Sequence, residues 1–504
     1  YIKRGAAVVL SLILTAGMGP ATVNGEPFAL PDFGSSADTL MSTGEERQLG
    51  RAFMRSVREA LPVIEDPLLT DYVESLGHRL VAASGTGAGR YSFFLIDEPV
   101  INAFAGPDGH VGVYSGLVLA SESESELAAV MAHEIAHVTQ RHLMRAFEDQ
   151  QQLSIPATAL LIAAAILGAQ VDANVGAAAV AGIQAAAAQR QINFTRENEK
   201  EADRVGIATL ASAGFDTYAM PGFFERMSKA SRLYETGAPE FLRTHPVTTN
   251  RIADALGRAE SHGAKQRADD LRFHLTRARL RERSYKDPGK AVSHFRATLN
   301  EKRYRNEVAE RYGYASALAR ANQTAAASEQ VQRLLSAHPN QAEFVVLDAE
   351  LDMQRGNGNE AVVKLRTSSG LRPDNVPLRI AYAKALMATG EPANALNVLK
   401  QLDRMRPGQT YLYRLMADAA LKSGRRAATH MYRAEAYYSE GELEPAILQL
   451  ELALKQPNAS FQDASQAQAR LETLKEEKAE EEEAKRWGRE SGEERRKLFA
   501  PLSR

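Results

Sequence analysis

The residues with the clearest chemical potential are His133, Glu134, Ile135, Ala136 and His137. Two histidines four residues apart share one face of a helix, where two neutral imidazole nitrogens can bind a single zinc ion. Glu134 stands close enough to take a proton from an attacking water without being a ligand itself. Val130, Met131, Ile135, Ala136 and Val138 make the surrounding helix apolar, so a glutamate buried between two histidines needs a reason. A hydrolytic zinc site takes three protein ligands and leaves the fourth position for water. Candidates for the third lie in Asn198-Glu199-Lys200-Glu201-Ala202-Asp203, which opens a second helical stretch. Glu199 and Asp203, spaced i and i+4, share a face: one carboxylate can bind metal while the other orients a ligand imidazole through its free N–H. Glu197 and Glu201 compete on proximity alone. The chain contains no cysteine, which excludes disulfides, thiolate metal sites, a cysteine nucleophile and an acylated lipoprotein cysteine. Histidine and carboxylate must therefore hold any metal.

The elements that must position these residues can be read from patterning. Ser121, Glu122, Ser123, Glu124, Ser125 and Glu126 form overlapping capping boxes and put acids where the helix dipole favours them, predicting a helix from Leu127 to Phe147. From about Leu40 to Ala120, amphipathic helical stretches (Glu45 to Ala60, Leu68 to Ala83) mix with strand-like ones (Tyr91 to Ile96, His110 to Tyr114). Between the two candidate metal helices, Leu153 to Ala188 is rich in Ala, Leu and Ile and is interrupted by Gly168, Asp172 and Asn174. Neither half is long enough to span a bilayer. The segment reads as a packed helical hairpin, with an apolar lid or membrane-touching element near the active site as the sharper alternative.

At 504 residues the chain is too long for one hydrophobic core and suggests about three domains. A composition of 44% hydrophobic and 25% charged residues excludes a polytopic membrane protein. Sixty-one basic against 63 acidic side chains give a net charge of -2, so no global positive field exists for nucleic acid. Lys3 and Arg4 precede an apolar run from Ala6 to Leu14 and then small or breaking residues, the layout of a secretory signal cut after Ala21 or Gly25, with an uncleaved anchor as the alternative. An exported chain without cysteine suits a bacterial periplasm. Beyond about residue 270 the pattern is helical and repetitive. Pro339, Pro373 and Pro407 fall 34 residues apart, as do Gly356, Gly390 and Gly424. Ala315, Ala349, Ala383 and Ala417 recur in one register, and Ala327, Ala361 and Ala395 in another. This period resembles the tetratricopeptide repeat, a helix hairpin that must stack on its neighbours to bury its apolar face and so builds a superhelix with a concave docking surface. Gly441, Pro445, Ala446 and Pro457 indicate a shifted final unit, and Lys475 to Lys497 is a charge-dense tail.

Four motif elements, in order across roughly residues 40 to 260, resemble the zinc metallopeptidase family that includes the CAAX prenyl proteases and the HtpX-type heat-shock proteases. They are Asn102-Ala103-Phe104-Ala105, His133 to His137, Glu199 to Asp203, and Thr244-His245-Pro246 with Arg251 six residues after the histidine. The resemblance implies one zinc per chain held by His133, His137 and Glu199, Glu134 as general base, Asp203 behind a ligand, and His245 with Arg251 stabilising the tetrahedral oxyanion. His245 is also expected to serve as a fourth zinc ligand in a closed state, so that two states compete for one side chain. The family's Gly-rich turn reads Gly106-Pro107-Asp108-Gly109-His110 here, which puts the neighbouring edge strand in question. That strand is expected to bind extended substrate by strand addition. The signal-like leader, the Leu-Pro-Asp-Phe-Gly stretch at 30 to 34 and the fused repeats narrow the match to periplasmic members. Their implied clients are misassembled or stalled outer-membrane proteins, with the repeats docking these or the barrel-assembly machinery. A repeat-based chaperone or scaffold with a closed or silent metal site is the rival reading.

The expected fold is mainly α: an α+β, zincin-like metallopeptidase domain with a small sheet, followed by an all-α tetratricopeptide-repeat superhelix. The expected boundaries are 1–25 for the signal peptide, 26–265 for the peptidase, 270–470 for the repeats and 475–504 for the tail. Membrane contact is at most peripheral.

Overall fold

The computed structural model describes residues 43–85, 90–146, 158–159, 162–164, 166, 196–233, 239–265 and 267–498. The expected signal peptide, the stretch at 30 to 34 and most of Leu153 to Ala188 lie outside the described residues. The few described residues of that last segment are helical, and Ala159, Ile162 and Ala163 pack with Leu49, Phe53 and Leu143.

Two helices open the described chain, α1 (Thr43–Ala60) and α2 (Pro67–Ala83). Asp66 caps α2 by accepting from the Leu68 and Leu69 N–H groups, and Pro67 suits the first turn because its missing donor would have had no partner there. Three strands follow: β1 (Ser92–Ile96), β2 (Ala103–Ala105) and β3 (His110–Tyr114). The sheet order is β1-β3-β2, with β1 parallel and β2 antiparallel to β3. The unusual turn between β2 and β3 closes the hairpin without slipping its register. Pro107–Gly109 forms a 3-10 turn, the Gly106 N–H donates to the His110 carbonyl at 2.7 Å, and Ala105 still opposes Val111. Gly109 is required there: its φ is 72°, and a Cβ would lie 1.9 Å from the Arg90 carbonyl oxygen.

The short α3 (Ser115–Ala120) leads into α4 (Glu124–Thr139), the helix that carries His133 and His137. Of the overlapping capping boxes, Ser123 is the one used: its hydroxyl accepts from the Glu126 N–H, while Glu126 reaches back to the Glu122 N–H. The helix expected to run to Phe147 instead stops at Thr139 and restarts as α5 (His142–Ala146), because Arg141 turns into the left-handed region with φ 51°. Then come α6 (Arg196–Ser212), α7 (Ala219–Leu233), α8 (Glu240–Thr244) and α9 (Thr249–His262). Helix α4 lies at the centre of the peptidase core, packed by α2, α6, α7 and the sheet.

From α10 (Leu271–Ser284) onward the chain is a helical array: α10 and α11 (Pro288–Asn300) each pack on α12 (Glu307–Arg320), and the pairs that follow are α12 with α13 (Thr324–Ala337), α14 (Ala342–Gln354) with α15 (Gly358–Leu371), α16 (Val376–Ala388) with α17 (Pro392–Met405), and α18 (Thr410–Lys422) with α19 (Arg426–Ser439). The shifted last unit is α20 (Leu443–Leu454) and the long α21 (Phe461–Leu498). The register alanines are all buried at helix crossings, and Gly356, Gly390 and Gly424 take positive φ in the tight turns between paired helices. Helix α10 serves two cores: Phe273 and Leu280 belong to the peptidase core, Leu275 and Ala278 to the first repeats. A belt of ion pairs ties the array to α1, α2 and their flanks, including Arg279 to Asp66 at 2.7 Å, Arg272 to Asp71 at 2.7 Å and Arg414 to Glu65 at 2.7 Å. Among the described residues, no helix is long and apolar enough to cross a membrane.

Candidate metal centre

Four side chains from three places in the sequence converge in the peptidase core: His133 and His137 on α4, Glu199 on α6, and His245 just after α8. One donor atom from each lies within 4.8 Å of all the others, and all four residues are buried. His133 Nε2 is 3.0 Å from His137 Nε2, 3.4 Å from His245 Nδ1 and 3.5 Å from Glu199 Oε2. Glu199 Oε1 is 3.4 Å from His137 Nε2 and 3.0 Å from His245 Nδ1. Metal–ligand bonds of about 2.1 Å give a tetrahedron with edges of roughly 3.4 Å. The donor set therefore fits a four-coordinate divalent ion in both chemistry and spacing.

The atoms behind these donors fix which nitrogen faces the centre. Asp203 Oδ1 lies 3.0 Å from His133 Nδ1, so that nitrogen carries a proton and Nε2 is the one turned to the centre. A second chain does the same for His137. The Glu201 carboxylate can only accept, so His142 Nε2, 3.2 Å away, is the protonated nitrogen. His142 Nδ1 then accepts from His137 Nδ1 at 2.8 Å, again leaving Nε2 free. His245 has Nε2 3.4 Å from Glu134 Oε1, which leaves Nδ1 for the centre. Each of the three imidazoles thus turns one ring nitrogen to the centre, where a bound metal would take the place of any proton that nitrogen carries.

Arg251 closes the arrangement from below. Its Nε and Nη2 donate to the two Asp203 oxygens, each at 2.8 Å, while Nη1 meets Glu199 Oε2 at 2.7 Å and the Pro246 carbonyl at 2.8 Å. The Phe224 ring lies 5.1 Å from its guanidinium carbon. Every donor of this arginine is turned toward carboxylates and backbone. The expected pairing of Arg251 with His245 at an oxyanion is thus not the geometry seen here, because two buried carboxylates hold the guanidinium fork more strongly than an open site could.

The electrostatics favour a cation at the centre. Burial pushes the Glu199 carboxyl upward, but His245 and the hydrogen bonds from His133, His137 and His245 win and hold it well below the usual range. His133 also resists burial: contacts with Asp203 and Glu199 raise it to about 10. Burial leads for His137, which stays neutral, with its value well below the ordinary one. Burial likewise raises the Glu134 carboxyl, partly offset by His245, His133 and a hydrogen bond from the Ala105 N–H. That last contact sets the base directly beside edge strand β2.

Spacing marked His133, Glu134 and His137 on α4 and left several acids open on α6, among which the family resemblance chose Glu199 and Asp203; the structure brings these five residues together. Of the competing acids, Glu197 is exposed, and Glu201 is engaged with His142, Arg145 and Arg204. His142 had no sequence signal. On a continuous helix a residue five positions after His137 points about 140° away from it, and only the break at Arg141 swings its ring back. Gly206 was also unmarked: a Cβ there would lie 3.2 Å from the His133 backbone nitrogen, so a bare glycine lets α6 bring Glu199 against α4.

A buried HExxH helix, a carboxylate-bearing helix against it and an appended repeat array define a metallopeptidase with a docking domain. In agreement, residues 67–259 match the Peptidase family M48 model and residues 352–419 match the Tetratricopeptide repeat model. The chain belongs to the beta-barrel assembly-enhancing protease family. It is 35% identical over 474 residues to the beta-barrel assembly-enhancing protease of Escherichia coli (strain K12), covering 94% of this chain and 97% of that one. The putative beta-barrel assembly-enhancing protease of Vibrio cholerae serotype O1 is 36% identical over 428 residues, covering 85% and 88%. The mitochondrial metalloendopeptidase OMA1 of Danio rerio is 29% identical over 207 residues, covering 40% of this chain and 43% of that one.

Proposed function

We propose that this chain is a zinc-dependent endopeptidase of the periplasm that assists the assembly of outer-membrane β-barrel proteins and degrades those that misassemble. The names of its relatives and the fused repeats support the client class. The signal-like leader supports the compartment. The observation that carries the chemistry is the buried set of His133, His137 and Glu199 around one point, with Glu134 alongside. Zinc, which suits imidazole and carboxylate donors, supplies Lewis-acid polarisation of a carbonyl and a lowered water pKa when bound.

Glu134 takes the proton of the attacking water and passes it to the leaving amine, a shuttle favoured by the upward shift that burial gives its carboxyl. Asp203 and the His142–Glu201 chain hold the two α4 imidazoles in the metal-binding tautomer. Arg251 neutralises and positions Asp203 and Glu199. Edge strand β2 aligns substrate backbone beside Glu134 and reads little of its sequence, so specificity is broad. His245 has two posts. Next to the centre through Nδ1 it completes a four-donor closed site, and displaced from it the imidazole can stabilise an oxyanion. His133, Glu134, His137, Glu199, Asp203, His245 and Arg251 are each 3% exposed or less, which favours the closed arrangement as the resting one. In that state the repeats can act as a chaperone or scaffold with the protease silent.

The test is metal stoichiometry measured together with casein cleavage. Glu134→Gln is expected to retain about one zinc per chain and to lose proteolysis by roughly 100-fold or more, since the amide keeps the shape but cannot accept a proton. Cleavage at the wild-type rate would refute the assignment of the base.

A further inference from the structure

The turn after α11 and the face of α10 beside it line a cavity of about 280 Å³ to which four arginines contribute. Arg277 and Arg281 come from α10, Arg303 and Arg305 from the turn, and Glu310 of α12 is the single carboxylate among the lining residues. Arg303 and Arg305 are exposed, whereas Arg277 is only 8% exposed. One nitrogen of Arg277, Nη2, donates to the Leu119 carbonyl at 2.9 Å. Its Nε and Nη1 are buried without a hydrogen-bond partner, and the Phe273 ring, 5.4 Å from the guanidinium carbon, offers only a cation–π contact. Burial, with Arg305 and Arg281 alongside, pushes Arg277 down to about 10.

The nearby acids are already committed. Glu310 accepts from the Thr298 hydroxyl and stays 3.9 Å from Arg281. Glu126 is bound by Arg226, and Asp269 accepts from the Glu124 N–H at 2.8 Å and lies 3.5 Å from His274. Glu122 sits 3.6 Å from Arg305 and is more than half exposed. Arg303 is paired with exposed Glu301, which leaves Arg277 as the arginine of the four with no carboxylate partner among the described residues, and its two idle buried donors would be stabilised by a counter-charge entering the cavity.

We propose that this cavity is a binding site for a phosphate-type oxyanion, with Arg277 at its floor and Arg281 and Arg303 nearer its mouth. Guanidinium forks match the tetrahedral oxygens of such an anion, and a dianion offsets more of the surplus charge than one carboxylate could. The volume lies at the small end for ligand cavities, enough for a headgroup or a free anion and too small for a folded partner. Free phosphate and the phosphate of an anionic lipid headgroup present the same chemistry.

The full chain should be titrated calorimetrically with inorganic phosphate at constant ionic strength, with chloride as the control. In parallel it should be sedimented with phosphatidylglycerol vesicles and with phosphatidylcholine vesicles. One saturable site for phosphate, or a preference for the anionic vesicles, is expected. Either affinity should fall about tenfold in Arg281→Gln and in Arg303→Gln, partly exposed positions whose replacement leaves folding intact. A phosphate response without vesicle preference assigns the free anion, and a vesicle preference lost in the variants assigns the headgroup. No saturable phosphate heat together with equal sedimentation on both vesicles overturns the proposal, as does binding that both variants leave unchanged.

Discussion

Helix α4 and the helices of the repeat array are buried in different ways. On α4 every residue from Glu124 to His137 is buried, and its functional side chains are held by groups far away in sequence: Asp203, Glu199, His245 and, through them, Arg251. In the array the buried positions recur with the repeat and charges pair over short distances, as Arg333 does with Glu329 on α13, or as Lys364 does with Asp348 and Asp352. This centre gathers three imidazoles and a carboxylate, each fixed by several independent constraints. A docking surface needs only that each hairpin fit its neighbours. The difference predicts that single changes act globally in the first region and locally in the second.

The strongest way to break this contrast is Arg251→Met. It leaves Asp203 and Glu199 buried without their cation, so denaturant unfolding of the metal-free chain should show a loss of about 3–5 kcal/mol. A loss under about 1 kcal/mol would mean that the two histidines alone hold the carboxylates. The next test uses pH. Burial, ahead of the charges of Arg58 and Arg90, holds His110 down to about 4, with its Nδ1 2.9 Å from the Ser92 hydroxyl. The unfolded chain takes that proton near its ordinary 6.5, so the unfolded state binds more protons between 6.5 and 4. Stability should fall as pH drops through that window, by up to about 3 kcal/mol, and His110→Asn should flatten the slope. Equal slopes in the two chains would remove His110 from the account.

The tautomer chain behind His137 is tested by His142→Leu, which should weaken zinc about 10–100-fold in a chelator competition while leaving helical content unchanged. Unaltered affinity would reduce His142 to packing. Smallest of all should be Arg333→Met. Its partner Glu329 lies four residues back on an exposed face, and stability should move by no more than about 0.5 kcal/mol. A large effect there would show that the array also depends on long-range order.

How legible each region was follows from the same contrast. The repeats could be read because their information is periodic: Pro339, Pro373 and Pro407 each stand two residues after the end of the second helix of a pair. The histidine pair could be read because i and i+4 spacing acts within one helix, while Glu199 and His245 were reached only through the family resemblance. What stayed hidden depends on tertiary approach. No pattern in the sequence says that Arg251 points at Asp203, that the chain breaks at Arg141 to return His142, or that Gly206 lets two helices close. The belt from Arg279, Arg272 and Arg414 to Asp66, Asp71 and Glu65 was hidden for the same reason, since it joins side chains hundreds of residues apart.

Helix α10 has an evolutionary consequence. Because Phe273 fills the peptidase core while Leu275, a few ångströms along the same rod, fills the first repeats, the two modules share a part rather than a joint. A swap of one repeat array for another would have to keep this helix, or bring one that presents a phenylalanine at the same position. It would also have to keep the later contacts from Arg414 to Glu65 and from Arg55 to Glu442, so the protease constrains the array along its length and not at a single joint.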